Sequence, residues 1–561
     1  MSMSSREWLR ARRVRVVALA AAVAVLAAVG LTAFMLNDPR SDAQKLVDDF
    51  VAALDDRDAA AAAALTSYPN AAEPAIAQMF DGLSDGRGDY AVSQLVELTE
   101  DSGYFTLSTE WDFGEDKQWH YQVAGAVRKL AVGWRVSWSP DVIVPDLAAD
   151  RTVHYVRTDA APPKIFDRFG KPLMEEQTIN AVVLEPANMP DPVGTTTRLA
   201  EVLAPVAPVI TAEYMQQRLA EAKGERITAV KLRDQDYQFL EDDIVPIPGV
   251  RVFSDPTLIS SDRRISTPLL DSLRSAWQLE RDRTAGWAVT LEDPEDGPVQ
   301  VAGYQGPPPP DLTSTVDSHI QLAAKEAVVT VGTPAALVAI QPSTGGILAL
   351  GVNNQAMEMG AVATRGLYPA GGVLDPVRVA AGIERDVDPA TVSTDDLAET
   401  ASRLGLGLDY AVPGFEFETA QVGQGRSGVV QFAGADSDGD ATISPLGAAL
   451  LAASIARGGV PAPMLVQGQP ATIADAPDAL PADAVDALRA MMVDDVRNGA
   501  ASYLKGHPGL AGIAAASGDD RWFYGYTGDV AFAIYVADAD GGDRAVKMAD
   551  RFLTEMAKPA E

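Results

Sequence analysis

The period of the hydrophobic positions changes along this chain, and each change marks a different kind of element. From Val16 to Leu36 the chain is an uncharged run made mostly of Ala, Val and Leu. About 20 apolar residues at 1.5 Å rise match the hydrocarbon thickness of a bilayer. Arg6, Arg10, Arg12, Arg13 and Arg15 precede the run, so residues 1–15 are expected on the cytoplasmic side and residues 16–36 across the membrane. The alternative is a cleaved signal peptide, with an apolar region of about 7–15 residues and a small-x-small site. This run is longer and ends Phe34-Met35-Leu36-Asn37, which favours an uncleaved anchor with a large extracytoplasmic domain after it.

Beyond it, Ala43, Leu46, Val47, Phe50, Val51 and Leu54 recur at helical spacing, and an Ala-rich helical stretch runs on to Leu65. After Gly88 short strands are expected at Tyr104–Leu107, Trp111, Trp119–Val123 and Trp134–Trp138. Helices followed by an antiparallel sheet make residues 41–150 a small α+β domain. A second segment, 152–310, ends in Gly306-Pro-Pro-Pro-Pro310, a stiff extended linker. In the third, 311–561, two apolar runs flank Ser343-Thr344-Gly345-Gly346 and form a β-hairpin.

Charge and composition remove several function classes. The chain carries 45 basic and 78 acidic residues, a formal charge of -33, the wrong sign for a nucleic-acid binder. It has no cysteine, which excludes disulfides, thiolate zinc sites and a thiol nucleophile. Its four histidines, His120, His154, His319 and His507, have no metal-ligand spacing. No metal and no cofactor is expected.

Short motifs then give the order of the segments a meaning. Trp119-x-Tyr121, Gly133-Trp134-Arg135-Val136-x-Trp138-x-Pro140 and Ile143-x-Pro145-x-Leu147 resemble the cone-shaped domain after the anchor in methicillin-resistance-type penicillin-binding proteins. The tryptophans at period two are read as core, with no ligand assigned. Asp167-Arg168-Phe169-Gly170 resembles the turn that opens the dimerisation, or pedestal, domain of that family, although it is also a common hairpin turn. Leu312-x-x-Thr315-Val316-Asp317, the hairpin at 335–350, Ile443-Ser444-Pro445-Leu446 and Trp522-Phe523-x-Gly525-Tyr526 resemble the transpeptidase domain of class B penicillin-binding proteins, in that family's order. The resemblance implies an α+β multidomain chain: membrane helix, cone-like domain, mixed pedestal domain, and a transpeptidase/β-lactamase-like α/β domain with a shortened helical lobe.

It also implies a chemistry that the residues do not supply. These transpeptidases use Ser-x-x-Lys, Ser-x-Asn and Lys-Thr-Gly, because an unactivated serine hydroxyl is a weak nucleophile. Here the frame reads Tyr368-Pro369-Ala370-Gly371-Gly372-Val373-Leu374-Asp375. Gly372 stands at the serine position and Asp375, with an ordinary pKa of about 4, at the lysine position. Ser393 has two readings, a remnant of the second motif or an N-cap for a helix starting at Asp395-Asp396. Gly512–Asp520 holds no lysine. The one literal Ser-x-x-Lys, Ser502-Tyr503-Leu504-Lys505, lies outside the family's frame, and so short a match is prone to chance.

Three functions remain open: an inactive homologue acting as scaffold or regulator of cell-wall synthesis, an active D,D-transpeptidase or carboxypeptidase using relocated residues such as Ser502 with Lys505, and a non-covalent muropeptide or β-lactam sensor. The partners that the resemblance implies are the bacterial plasma membrane, other cell-wall synthesis or division proteins, and peptidoglycan itself.

Overall fold

The computed structural model describes residues 41–294, 297–422, 441–539 and 541–559. The expected membrane helix at 16–36 and the basic segment 1–15 lie outside the described residues. Within the described residues no helix is long and apolar enough to cross a membrane.

Two compact units divide the chain. The first opens with helices α1 (Asp42–Asp55), α2 (Ala59–Ala64) and α3 (Pro69–Gly82), capped where the sequence offers a side-chain acceptor: Ser41 takes the Gln44 N–H and Asp58 the Ala61 N–H. An antiparallel sheet follows in simple order, β1 (Arg87–Thr99), β2 (Ser102–Asp112), β3 (Gln118–Leu130) and β4 (Gly133–Val136). Val47, Phe50 and Leu54 of α1 and Ile76 and Met79 of α3 pack with Phe105, Leu107 and Trp111 of β2. The strands are longer than the apolar pattern predicts, and β1 was not expected at all. Its buried positions are reduced to Tyr90, and the bulge between Val92 and Gln94 breaks the period of two that would be read. Trp111 and Trp119 are core residues, while Trp134 and Trp138 are half-buried.

Strand β5 (Thr152–Thr158) pairs with Gly286–Asp293, which pairs in turn with Gly297–Tyr304. The compact units therefore depart from breaks at 150 and 310: residues 41–160 and 284–308 cluster together, with Val153, Trp287 and Leu291 in the first unit's core.

The second unit begins with β6 (Ile165–Phe166), the Asp167 turn and β7 (Pro172–Leu184). Asp167 Oδ1 accepts the N–H groups of Phe169 and Lys171, and Gly170 takes φ +84°. β7 is flanked by β8 (Ile227–Arg233) and β9 (Val250–Ser260), and helices Pro192–Leu203, Ala212–Glu221 and Asp234–Ile244 cover this sheet.

The C-terminal part of the second unit is built on a five-stranded antiparallel sheet. Its order is β11 (Ile347–Val352), β10 (Ala335–Ile340), β14 (Val530–Val536), β13 (Asp520–Thr527) and, at the edge, β12 (Ala511–Ser517). Alternate residues enter two different cores. Ala336, Val338, Ala533 and Tyr535 meet α7 (Pro445–Arg457) and α8 (Ala482–Asn498) on one face. Leu337, Ala339, Phe532 and Ile534 meet α4 (Ser318–Val328) and α9 (Arg544–Met556) on the other. Two covered faces explain why these strands read as unbroken apolar runs. Between the hairpin and α7 lie α5 (Asp375–Arg385) and α6 (Thr394–Ser402).

Candidate functional site

Tyr368-Pro369 pairs with Thr442-Ile443, and a 3-10 turn, Gly371–Leu374, leads directly into α5 with Asp375 in its first turn. The turn lies against edge strand β12. Gly371 has φ +47°, and a Cβ there would stand 2.5 Å from the Ala516 carbonyl oxygen and 2.7 Å from Ser517 Cβ. Only glycine fits both the left-handed backbone and that approach.

The next position is different. A Cβ on Gly372 would lie 3.3 Å from Asp375 Oδ2, 3.6 Å from Ala515 Cβ and 3.9 Å from the Ala516 oxygen, all ordinary or near-ordinary contacts. The structure thus brings together three positions far apart in sequence: 372, 375 and the 515–517 stretch of β12. A side chain at 372 would have met a side chain at 375 and the strand. The space holds no hydroxyl at 372 and no ammonium at 375, and the nearest ionisable group is the exposed Asp375 carboxylate.

Two residues that motif reading did not single out hold this arrangement. Asp495 near the end of α8 accepts from Ala500 N at 2.9 Å and from Ala514 N at 2.9 Å, pinning β12 to the helix end. Tyr524, fully buried on β13, donates to the Val373 carbonyl at 3.0 Å and supports the turn from below. Burial, followed by the negative charges of Asp375 and Asp495, pushes its hydroxyl far above the usual phenol range. Neither residue belongs to a short motif; only the fold gives them partners.

Further along the sheet Tyr368 stacks on Tyr535 at 4.2 Å, and the Tyr535 hydroxyl donates to Asp520 Oδ2 at 3.0 Å. Burial raises the Asp520 carboxyl above the ordinary range. Asp520, at the start of β13, is thus engaged with a tyrosine.

The remaining sequence candidates lie apart from this gap. Ser393 is the N-cap of α6: its Oγ accepts the Asp396 N–H at 3.1 Å and donates to Asp396 Oδ2 at 2.6 Å. Ser502 is half-buried in the 3-10 turn Ser502–Leu504, and Lys505 is exposed. Among the described residues no hydrogen bond joins their side chains; only Lys505 N reaches the Ser502 carbonyl. A cavity of about 400 Å³ opens elsewhere in the second unit, lined by Asp167, Lys171, Arg264, Ser318, Lys325 and Lys558 among others. Asp167 and Phe169 of the β6–β7 turn and Asp317 line it, but Gly372, Asp375, Ser393, Ser502 and Lys505 do not. Among the described residues no cluster of three His, Asp or Glu is placed to hold a metal.

Residues 42–151 match the family described as NTF2-like N-terminal transpeptidase domain, so this part of the first unit is a transpeptidase-related N-terminal domain. No curated protein matches the chain.

Proposed function

We propose that this chain is a penicillin-binding-protein-like envelope protein whose transpeptidase-like domain forms no acyl-enzyme, and that it serves as a scaffold or regulator of peptidoglycan synthesis. One observation carries the reading: where a nucleophile and its base would meet, Gly372 offers no side chain and Asp375 offers a carboxylate 3.3 Å from where one would begin. An acyl transfer needs a nucleophile within reach of a proton acceptor. The strand beside that gap, Ala511–Ser517, carries no cation to hold a substrate carboxylate. The match at 42–151 supports the family setting, and the Val16–Leu36 run supports a single-pass anchor in a bacterial plasma membrane with the N-terminus cytoplasmic. Its partners on this reading are other cell-wall synthesis or division proteins.

The full chain incubated with a fluorescent penicillin should show no covalent band after denaturing electrophoresis. A band that persists in a Gly372→Ala variant and disappears in Ser502→Ala would overturn the proposal and make Ser502 the nucleophile.

A further inference from the structure

The sheet of the first unit has one face on the helices and one in solvent, and the solvent face has an unusual makeup. Its three middle rows are Ala91–Ser108–Gln122, Gln94–Thr106–Ala124 and Val96–Tyr104–Ala126. None of these nine residues is charged, in a chain that is 22% charged. Tyr104 is 57% exposed and Val96 41%, with Leu98 and Val132 exposed nearby. Charge returns at the two ends of the strands with opposite sign. One end row holds Asp89, Glu110 and His120, and the other holds Ser102, Arg128 and Arg135. Other charges stand at those ends too: Arg87, 3.9 Å from Asp89 and paired across the strands with Asp112, and the Glu115-Asp116-Lys117 turn at the first, and Glu97, Lys129 and the hairpin tip Glu100-Asp101 at the second.

We infer that this face binds a second copy of the same chain, through a two-fold axis running across the strands at the Thr106 row. Thr106 is midway between Glu110 and Ser102 on β2, so such an axis sets Glu110 of one copy over Ser102 of the other, one strand away from its Arg128. That complementarity favours self-association over unrelated acidic partners. The same axis puts Gln94, Thr106 and Ala124 each opposite its own mate. It also sets the large Tyr104 and Val96 over the partner's small Ser108 and Ala91, so the faces interdigitate at the usual sheet spacing of about 10 Å. From strand geometry the face offers about 500 Å² per copy, the low end for a specific contact. The dimer is therefore weak in free solution, and it is strengthened where both chains are held in one membrane plane. The inference does not depend on whether the transpeptidase-like domain is active.

The absence of native cysteine makes the test direct, because Thr106→Cys in the full chain carries a single thiol. Mild oxidation should convert Thr106→Cys and Ala124→Cys to a disulfide-linked dimer at least tenfold more efficiently than Val209→Cys, whose position is 79% exposed in the second unit. The double variant Thr106→Lys/Ala124→Lys, which sets like charges face to face, should sediment as a monomer at concentrations where the unaltered chain dimerises, with its melting temperature unchanged. If both cysteine variants stay monomeric while melting normally, or if Val209→Cys cross-links equally well, the inference fails. Cross-linking in membranes only to a protein of a different mass would also overturn it, assigning the face to another partner.

Discussion

Two adjacent glycines at the start of α5 are under opposite constraints. Gly371 has a left-handed backbone and a carbonyl oxygen where its Cβ would be, so Gly371→Ala should lower stability by about 2–3 kcal/mol. Gly372 has neither restriction, and Gly372→Ala should be neutral or stabilising by up to about 1 kcal/mol through loss of unfolded-state freedom. Urea denaturation of the two variants checks the pair; equal losses would mean that position 372 is as crowded as 371. The contrast bears on the proposed function, because the fold does not require glycine at position 372. Positions 372 and 375 were legible in the sequence because Tyr368-Pro369 and Gly371 fix their register. Asp495 and Tyr524 were not, since a carboxylate that takes one backbone N–H just past its own helix and one from a distant strand has no local signature.

Short clamps between elements shape the second unit. Asp529, in the turn between β13 and β14, accepts from Ser343 N at 3.0 Å, Ser343 Oγ at 2.6 Å and Gln341 Nε2 at 2.6 Å, tying that turn to the β10–β11 hairpin. Desolvation works against its charge, but the hydrogen bonds from Ser343 and Gln341 outweigh it and hold its carboxyl below the ordinary range. A depressed carboxylate pKa stabilises the folded state above the unfolded value of about 3.9, and that contribution is lost as pH falls through the folded value. Asp529→Ala should therefore cost about 1 kcal/mol at neutral pH, after allowance for solvent screening. The gap from the unaltered chain should close below about pH 4. Parallel denaturation curves at pH 7 and pH 3 decide it, and a constant gap would assign the effect to the turn backbone.

A second clamp joins α5 and α6. Glu384, its side chain 7% exposed, receives Arg403 Nη1 at 2.7 Å and Thr400 Oγ1 at 2.8 Å, while Arg385 reaches Asp396 and Glu399 at 2.8 Å each. Removing the central acid takes one carboxylate from both guanidinium groups and leaves Glu399 as the bridge between them. Glu384→Ala should cost about 2–3 kcal/mol, with Glu384→Gln intermediate, as read from urea midpoints. At this scale the sequence conveyed the two-sided sheet well, because both covered faces write apolar residues into every position. It conveyed β1 poorly, because the bulge between Val92 and Gln94 breaks the period of two among Tyr90, Val92 and Leu95.

Across the whole molecule the excess of acid is the dominant field. With a formal charge of -33, self-repulsion opposes the folded state and exceeds the gain from scattered surface pairs. Raising salt from about 0.02 to 0.3 M should lift the melting temperature by about 2–4 °C; a fall would mean that attractive pairs dominate. The sequence pattern suggests breaks at 150 and 310, while the contacts return residues 284–308 to the first unit. No local pattern announces that return, since β5 and its mate are joined only by pairing across a long intervening segment.

That pairing sets a timetable for synthesis. Helices α1 to α3 and the four-stranded sheet leave the ribosome early, yet β5 ends at Thr158 and its partner begins at Gly286. At about 5–20 residues per second, the intervening stretch takes roughly 6–26 s to make. Through that interval the first unit waits with Val153 and its neighbours unpaired, while β6 to β9 emerge and fold inside the loop it must later close. The oldest part of the newborn chain is thus not the first to be completed, and it is most open to chaperones and proteases in the seconds before Trp287 arrives.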